Sequence, residues 1–173
     1  LCCPLDIVVA KKITQPSNPE LAIGAVTADG AVLWAEDAIQ GRQAGKSDTS
    51  SLSIALQQAR EKAIAQLKQL TPGRPSCMVA GKIAILVDDG IATGMTMAVA
   101  AQAVRSQHPA QIWLCAPVAP AELMRRLEAW GDRVILLATP SPFYSVSRFY
   151  QQFPQVETEA ALVCLQRQND TAV

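Results

Sequence analysis

The chain has one histidine, His108, and that scarcity removes much of the common enzyme chemistry at once. His108 stands just before Pro109 at an expected helix end, where a cap or a solvent role suits it. No Ser-His-Asp, Cys-His or zinc set can be assembled around it. Neither sign of charge is in excess, since fifteen Lys and Arg offset fifteen Asp and Glu. That balance gives no electrostatic grip on nucleic acid or on an anionic membrane, so the expected partners are small molecules or proteins. No apolar stretch approaches the ~18 to 20 residues of a membrane span, and no basic and then apolar leader opens the chain. The five cysteines, Cys2, Cys3, Cys77, Cys115 and Cys164, are odd in number and lack metal-type spacing. They read as reduced thiols, and a cytoplasmic location is expected. There is no internal repeat and no glycine triplet with dinucleotide spacing.

What is present is enough for one ordinary domain. The 173 residues are half hydrophobic, which predicts a single domain over 1–173. Residues 5–10 (LDIVVA) and 21–26 (LAIGAV) read as strands. The second runs through Asp29-Gly30 into AVLWA, and an Asp-Gly pair between apolar runs predicts a hairpin. Residues 37–51 turn polar and predict a mobile loop. From Leu52 to Leu70 apolar residues recur at three and four, which predicts a helix closed by Thr71-Pro72-Gly73. Then follow a strand at 83–87 (IAILV), a helix at 96–106, a strand at 112–116 (IWLCA), a helix at about 120–130 and a strand at 134–138 (VILLA). Continuous apolar strands separated by helices predict an α/β fold with a mostly parallel sheet, covered by helices on both faces.

The stretch VDDGIATG, Val87 to Gly94, joins the strand at 83–87 to its helix. It therefore lies at the carboxyl end of a parallel strand, where open α/β sheets bind ligands. Gly90 and Gly94 allow close backbone approach, and the amides of Ala92 to Thr96 lead into a positive helix terminus, which together suit a phosphate. Thr93 and Thr96 add hydroxyl donors. Asp88 and Asp89 would repel that phosphate unless they faced sugar hydroxyls or a magnesium ion held partly through water. A phosphorylated sugar satisfies both halves. Read without function, Asp-Asp-Gly is a capped turn. A P-loop does not fit, because Met95 stands where that motif needs Lys.

The eight residues closely resemble the ribose-phosphate signature of type I phosphoribosyltransferases. The resemblance implies a type I phosphoribosyltransferase-like sheet with a hairpin and loop hood at about 14–51. It implies binding of 5-phosphoribosyl 1-diphosphate by the loop Gly90, Ile91, Ala92, Thr93, Gly94, Met95 and Thr96, with Asp88 and Asp89 as the catalytic pair and as ligands of Mg2+. IVVAKKI matches the strand whose end carries basic residues, so one or both of Lys11 and Lys12 are implied at diphosphate oxygens. The bland alternative is a solvated pair. TPSPFYSVSRFYQQF resembles the segment forming the nucleobase pocket in purine-type members, with Phe143 stacking on an aromatic acceptor. Alternatively Phe143, Tyr144, Phe149, Tyr150 and Phe153 only cap the sheet edge. PSNPELAIGAV with VDDGIATGMTM most resembles a bacterial group whose acceptor its motifs do not fix. Arg60 and Arg74 flank a region able to close over ligand.

The resemblance implies a further strand and a short Pro-Arg-Gly-Gly-like diphosphate loop before the stretch matching LDIVVAKK; the 173 residues open at that stretch, so either the protein lacks the loop or the sequence begins after it. The implied activity is transfer of a phosphoribosyl group to a nitrogenous acceptor, with nucleobases foremost and release of diphosphate, in a homodimer. The alternative is a protein of the same fold that binds the nucleotide or sugar diphosphate only to sense it. A receiver-type phosphotransfer pocket would need another aspartate at a strand end, and the other strands end in Lys11, Ala116 and Thr139.

Overall fold

The structure, a computed structural model, describes residues 3–15, 18–35, 49–72 and 76–171. Two three-stranded sheets share one central helix. The first sheet is an antiparallel meander of β1 (Ala10–Gln15), β2 (Asn18–Thr27) and β3 (Val32–Trp34). Its β2–β3 turn falls on Asp29-Gly30, as the Asp-Gly signal predicts. Gly30 takes the left-handed φ of 99°, and the buried Thr27 hydroxyl accepts the Ala31 amide at 3.0 Å. The long helix α1 (Thr49–Leu70) lays Ala55 and Ala59 against Ile13 and Val26 of this sheet. Small residues on its inner face let helix and sheet come close.

The second sheet is parallel throughout, in the order β4 (Ile83–Val87), β5 (Gln111–Val118), β6 (Arg133–Ala138). Helix α2 (Met95–Arg105) crosses over between β4 and β5. A 3-10 turn (Ala121–Leu123) and α3 (Met124–Trp130) cross over between β5 and β6. The α/β fold class thus holds, with a parallel sheet flanked by helices. Helix α2 is apolar almost all round because it is packed on two sides. Met97, Ala101 and Val104 face Ile112, Leu114 and Ala116 of β5, while Met95 and Val99 pack with Ala25 of the meander. Last comes α4 (Thr158–Thr171), whose Leu165 packs with Val9, Ala63 and Leu70.

Two expectations are corrected. The first strand does not occupy residues 5–10 but begins at Ala10 and runs to Gln15. Lys11 and Lys12 therefore lie inside it, opposite Val26 and Ala25, and not at its end. Cross-strand pairing with β2 decides this, since the ladder starts at Ala10, opposite Thr27. The parallel sheet is also covered on one face only among the described residues. Along β5 the residues alternate, with Ile112, Leu114, Ala116 and Val118 buried and Trp113, Cys115 and Pro117 half-exposed. On that open side Val87 is 75% and Leu137 84% exposed. The hood loop expected at 37–51 falls largely on residues outside the described ones, as do Cys2 and Arg74.

Candidate functional site at the end of the fourth strand

Residues 88–96 leave the carboxyl end of β4 and enter α2. Two amides anchor this turn to the neighbouring strand: Asp88 N–H donates to the Cys115 carbonyl at 3.1 Å, and Ile91 N–H donates to the Val118 carbonyl at 2.9 Å. Between these anchors the chain loops outward through Asp89 and Gly90. Asp89 N–H donates to Asp88 Oδ1 at 2.9 Å. Asp88 is half-buried and Asp89 exposed. Burial pushes the Asp88 carboxyl above the usual aspartate value; the Asp89 charge adds to the rise and the hydrogen bond from the Asp89 amide opposes it. A half-buried carboxylate beside an exposed one gains from a bound cation or from hydroxyl donors.

The rest of the loop divides by residue. Ile91 and Met95 send their side chains into the core, and the Ile91 amide is already paired. Among the described residues no acceptor engages the amides of Ala92, Thr93, Gly94, Met95 or Thr96. They are the free donors of a helix start. Ala92 and Thr93 are exposed, Thr96 half-buried, and Gly94 buried. Gly94 is in the left-handed conformation, φ 73°. A Cβ there would stand 2.7 Å from the Trp130 ring and 3.1 Å from Leu123. The physical reason for glycine at this point is thus the packing of α3 as well as the dihedral. Replacing it disturbs the core and does not probe anion binding alone.

The two lysines alternate across β1. Lys11 shares the α1 side of the meander with Ile13 and Val26. Lys12 lies on the side of Ala10 and Ala25, the side that packs on Met95 at the start of α2. Only Lys12 is therefore on the face nearest the turn. Arg60 lies against the Gly30 turn, its guanidinium 3.1 Å from where a Gly30 Cβ would stand. His108 has φ 56° just beyond α2; its amide donates to Arg105 and its carbonyl accepts from Gly81, so it terminates a helix.

All three phenylalanines and both tyrosines of the chain fall within residues 143–153. Phe143 stacks on Phe149, centroids 5.4 Å apart at 26°, so one face of the expected stacking residue is already covered. Two residues of this segment meet the acid turn, and neither was expected to. The Tyr150 hydroxyl donates to the Asp89 carbonyl at 2.6 Å, and the Val146 side chain fills the space that a Gly90 Cβ would need. The only sequence signal was Gly90 itself, which marks a close approach without naming what approaches. Among the described residues no group of three metal-ligating side chains occurs, and no helix is long and apolar enough to cross a membrane.

Comparison with known proteins bears on the family and the fold. The family profile described as "Phosphoribosyl transferase domain" matches residues 1–149. A Mycobacterium tuberculosis protein, from strains CDC 1551 / Oshkosh and ATCC 25618 / H37Rv and named "Putative phosphoribosyl transferase" in both, is 32% identical over 171 aligned residues. The match takes in 96% of this chain and 37% of that protein, so the chain spans little more than a third of the length of these curated relatives. The crystal structure of TT1426 from Thermus thermophilus superposes with a TM-score of 0.75 at 30% identity, covering 95% of this chain and 76% of that one.

Proposed function

This chain belongs to the phosphoribosyl transferase family, and from that premise we propose that it transfers the phosphoribosyl group of 5-phosphoribosyl 1-diphosphate to a nitrogenous acceptor, a nucleobase foremost. The observation that carries the reading is the turn at 88–96: helix-start amides that no acceptor among the described residues engages, beside two carboxylates, at the carboxyl end of a parallel strand. The amides of residues 92–96, with the Thr93 and Thr96 hydroxyls, hold the 5-phosphate. Asp88 and Asp89 accept from the ribose hydroxyls and favour the positive charge that develops on the ribose ring in the transition state. Lys12, on the α2 side of β1, takes the diphosphate. The ring pair Phe143 and Phe149 offers an aromatic surface to the acceptor. In the reaction the acceptor nitrogen's lone pair bonds to the anomeric carbon as the bond to the diphosphate oxygen breaks with its electron pair, and the acceptor's proton leaves to solvent.

Two adjacent carboxylates without a third ligand do not make a closed metal cage, but they fit Mg2+, which keeps several waters and is held through one or two carboxylates plus substrate phosphates. Asp88 and Asp89 would be those carboxylates, and the ion when bound would neutralise diphosphate charge.

The test is to incubate the full-length protein with magnesium, 5-phosphoribosyl 1-diphosphate and a panel of purines, pyrimidines and small amines or amides, and to measure diphosphate release. At least one acceptor should give release, and Asp88→Asn with Asp89→Asn should lower it by about 100-fold or more, the scale of losing preorganised transition-state contacts, in a protein that still folds. Binding without release for every acceptor would favour a sensing role. Absence of binding would overturn both.

A further inference from the structure

We propose that Tyr150 is a positioning residue for the acid turn, and that residues 146–150 hold the Asp89–Gly90 peptide in place for the sugar diphosphate. The value of this to catalysis rests on the function proposed above; the contact itself does not. The sheet holds the turn only at its two ends, through the amides of Asp88 and Ile91. The peptide between them receives no bond from β5. What meets it instead is the Tyr150 hydroxyl, 2.6 Å from the Asp89 carbonyl oxygen, and the Val146 side chain, seated where Gly90 has no Cβ. These are two independent contacts from one short element, the 3-10 turn Val146–Phe149 and the residue after it.

That element is braced in turn. The Tyr150 amide donates to the Ser147 carbonyl at 3.2 Å, and its ring packs on Phe153 with centroids 5.0 Å apart. Phe149, its immediate neighbour, stacks on Phe143. A continuous set of contacts thus runs from the aromatic pair on the acceptor side, through Tyr150, to the backbone that carries the Asp89 carboxylate. An Asp89 carbonyl pinned at its oxygen fixes the orientation of the following peptide, and Gly90 offers no side chain to fix it otherwise.

The deciding experiment compares Tyr150→Phe with the parent full-length protein. The variant keeps the ring and its packing on Phe153 and removes only the hydroxyl. Hydrogen exchange at the Asp88 and Ile91 amides, which flank the pinned peptide, should quicken about 2- to 10-fold, the range one neutral hydrogen bond supports. The magnesium-dependent dissociation constant for 5-phosphoribosyl 1-diphosphate should rise by a similar factor, while exchange elsewhere and the far-ultraviolet circular dichroism stay as in the parent. Val146→Ala should act in the same direction, and it serves as the test if Tyr150→Phe does not fold. Unchanged exchange at both amides would overturn the positioning role whatever the protein binds. Faster exchange with parental affinity would overturn it too, since the turn would then be held for something other than the ligand. Should the parent itself bind no sugar diphosphate, the functional reading fails, and exchange at the two amides still decides whether Tyr150 holds the turn.

Discussion

The antiparallel sheet β1–β2–β3 is packed on both faces, by α1 through Ala55 and Ala59 and by α2 through Met95 and Val99, whereas the parallel sheet β4–β5–β6 is packed on one among the described residues. This reverses the usual division, in which parallel sheets are covered on both sides and antiparallel ones tolerate water on one. The open side of the parallel sheet is nonetheless apolar: Ile83, Ile85, Val87, Ile135 and Leu137 all stand there exposed. Arg133 lays its guanidinium over the Trp113 ring, 4.7 Å from its centroid, and screens part of that face. The difference teaches that apolar strand composition specifies a sheet's demand for cover without specifying which side is met. The turn that carries Asp88 and Asp89 is anchored at its two ends by β5 and leads into α2.

The comparison can be broken by mutation. Leu114→Ala empties a fully buried site beneath α2 and α3 and should cost about 2 to 5 kcal/mol in denaturant unfolding. Gly94→Val strikes the helix common to both sheets, forcing a β-branched residue into a left-handed dihedral and against Trp130. It should cost about 2 to 4 kcal/mol, and a folded variant of parental stability would mean that α3 does not press on the start of α2.

Asp88→Asn should act in the opposite direction and more weakly. Because the native carboxyl titrates above its unfolded value, the folded parent binds the proton more tightly. Its stability therefore falls as pH rises from the unfolded value through the native one, and stays lower above that. An asparagine keeps an oxygen to accept the Asp89 amide and carries no charge. The variant should be more stable than the parent at neutral pH and converge on it in acid, a difference that thermal melts across pH will read. A variant less stable than the parent at neutral pH would contradict a burial penalty at Asp88. The smallest effect belongs to the open face, where Leu137→Ser should stay within about 0.5 kcal/mol of the parent. A loss as large as that of Leu114→Ala would mean the face is covered in solution, and the contrast between the sheets would disappear.

Much of this was legible in the chain because it is locally encoded. The Asp-Gly hairpin, the α1 stripe and the passage from β4 through Asp88-Asp89-Gly90 into α2 each depend on residues a few positions apart. The first strand was misplaced because LDIVV carries the apolar composition of a strand, while the polar KKITQ gains its strand from partners in β2. Likewise the lysine pair could not be divided until the register put Lys11 and Lys12 on opposite faces. Tyr150 was hidden for the same reason at longer range: its bond to Asp89 spans 61 residues, and nothing around it distinguishes an anchoring hydroxyl from a stacking ring. One-sided cover is a property of how elements meet, and no periodicity within a strand reports it.

The strand registers also bear on the order in which the molecule assembles. Val26 pairs with Val32, six residues on, whereas Ile83 finds Gln111 only 28 residues on. Closing the longer loop costs about 1.4 kcal/mol more in chain entropy, before the intervening α2 has gained anything by packing. Local contacts form fast and distant ones slowly, so the β2–β3 hairpin can take its register while β4 still lacks a neighbour. The acid turn, whose anchors Cys115 and Val118 belong to β5, acquires its shape only after the more distant strands have met, which makes it one of the later parts of the fold to exist.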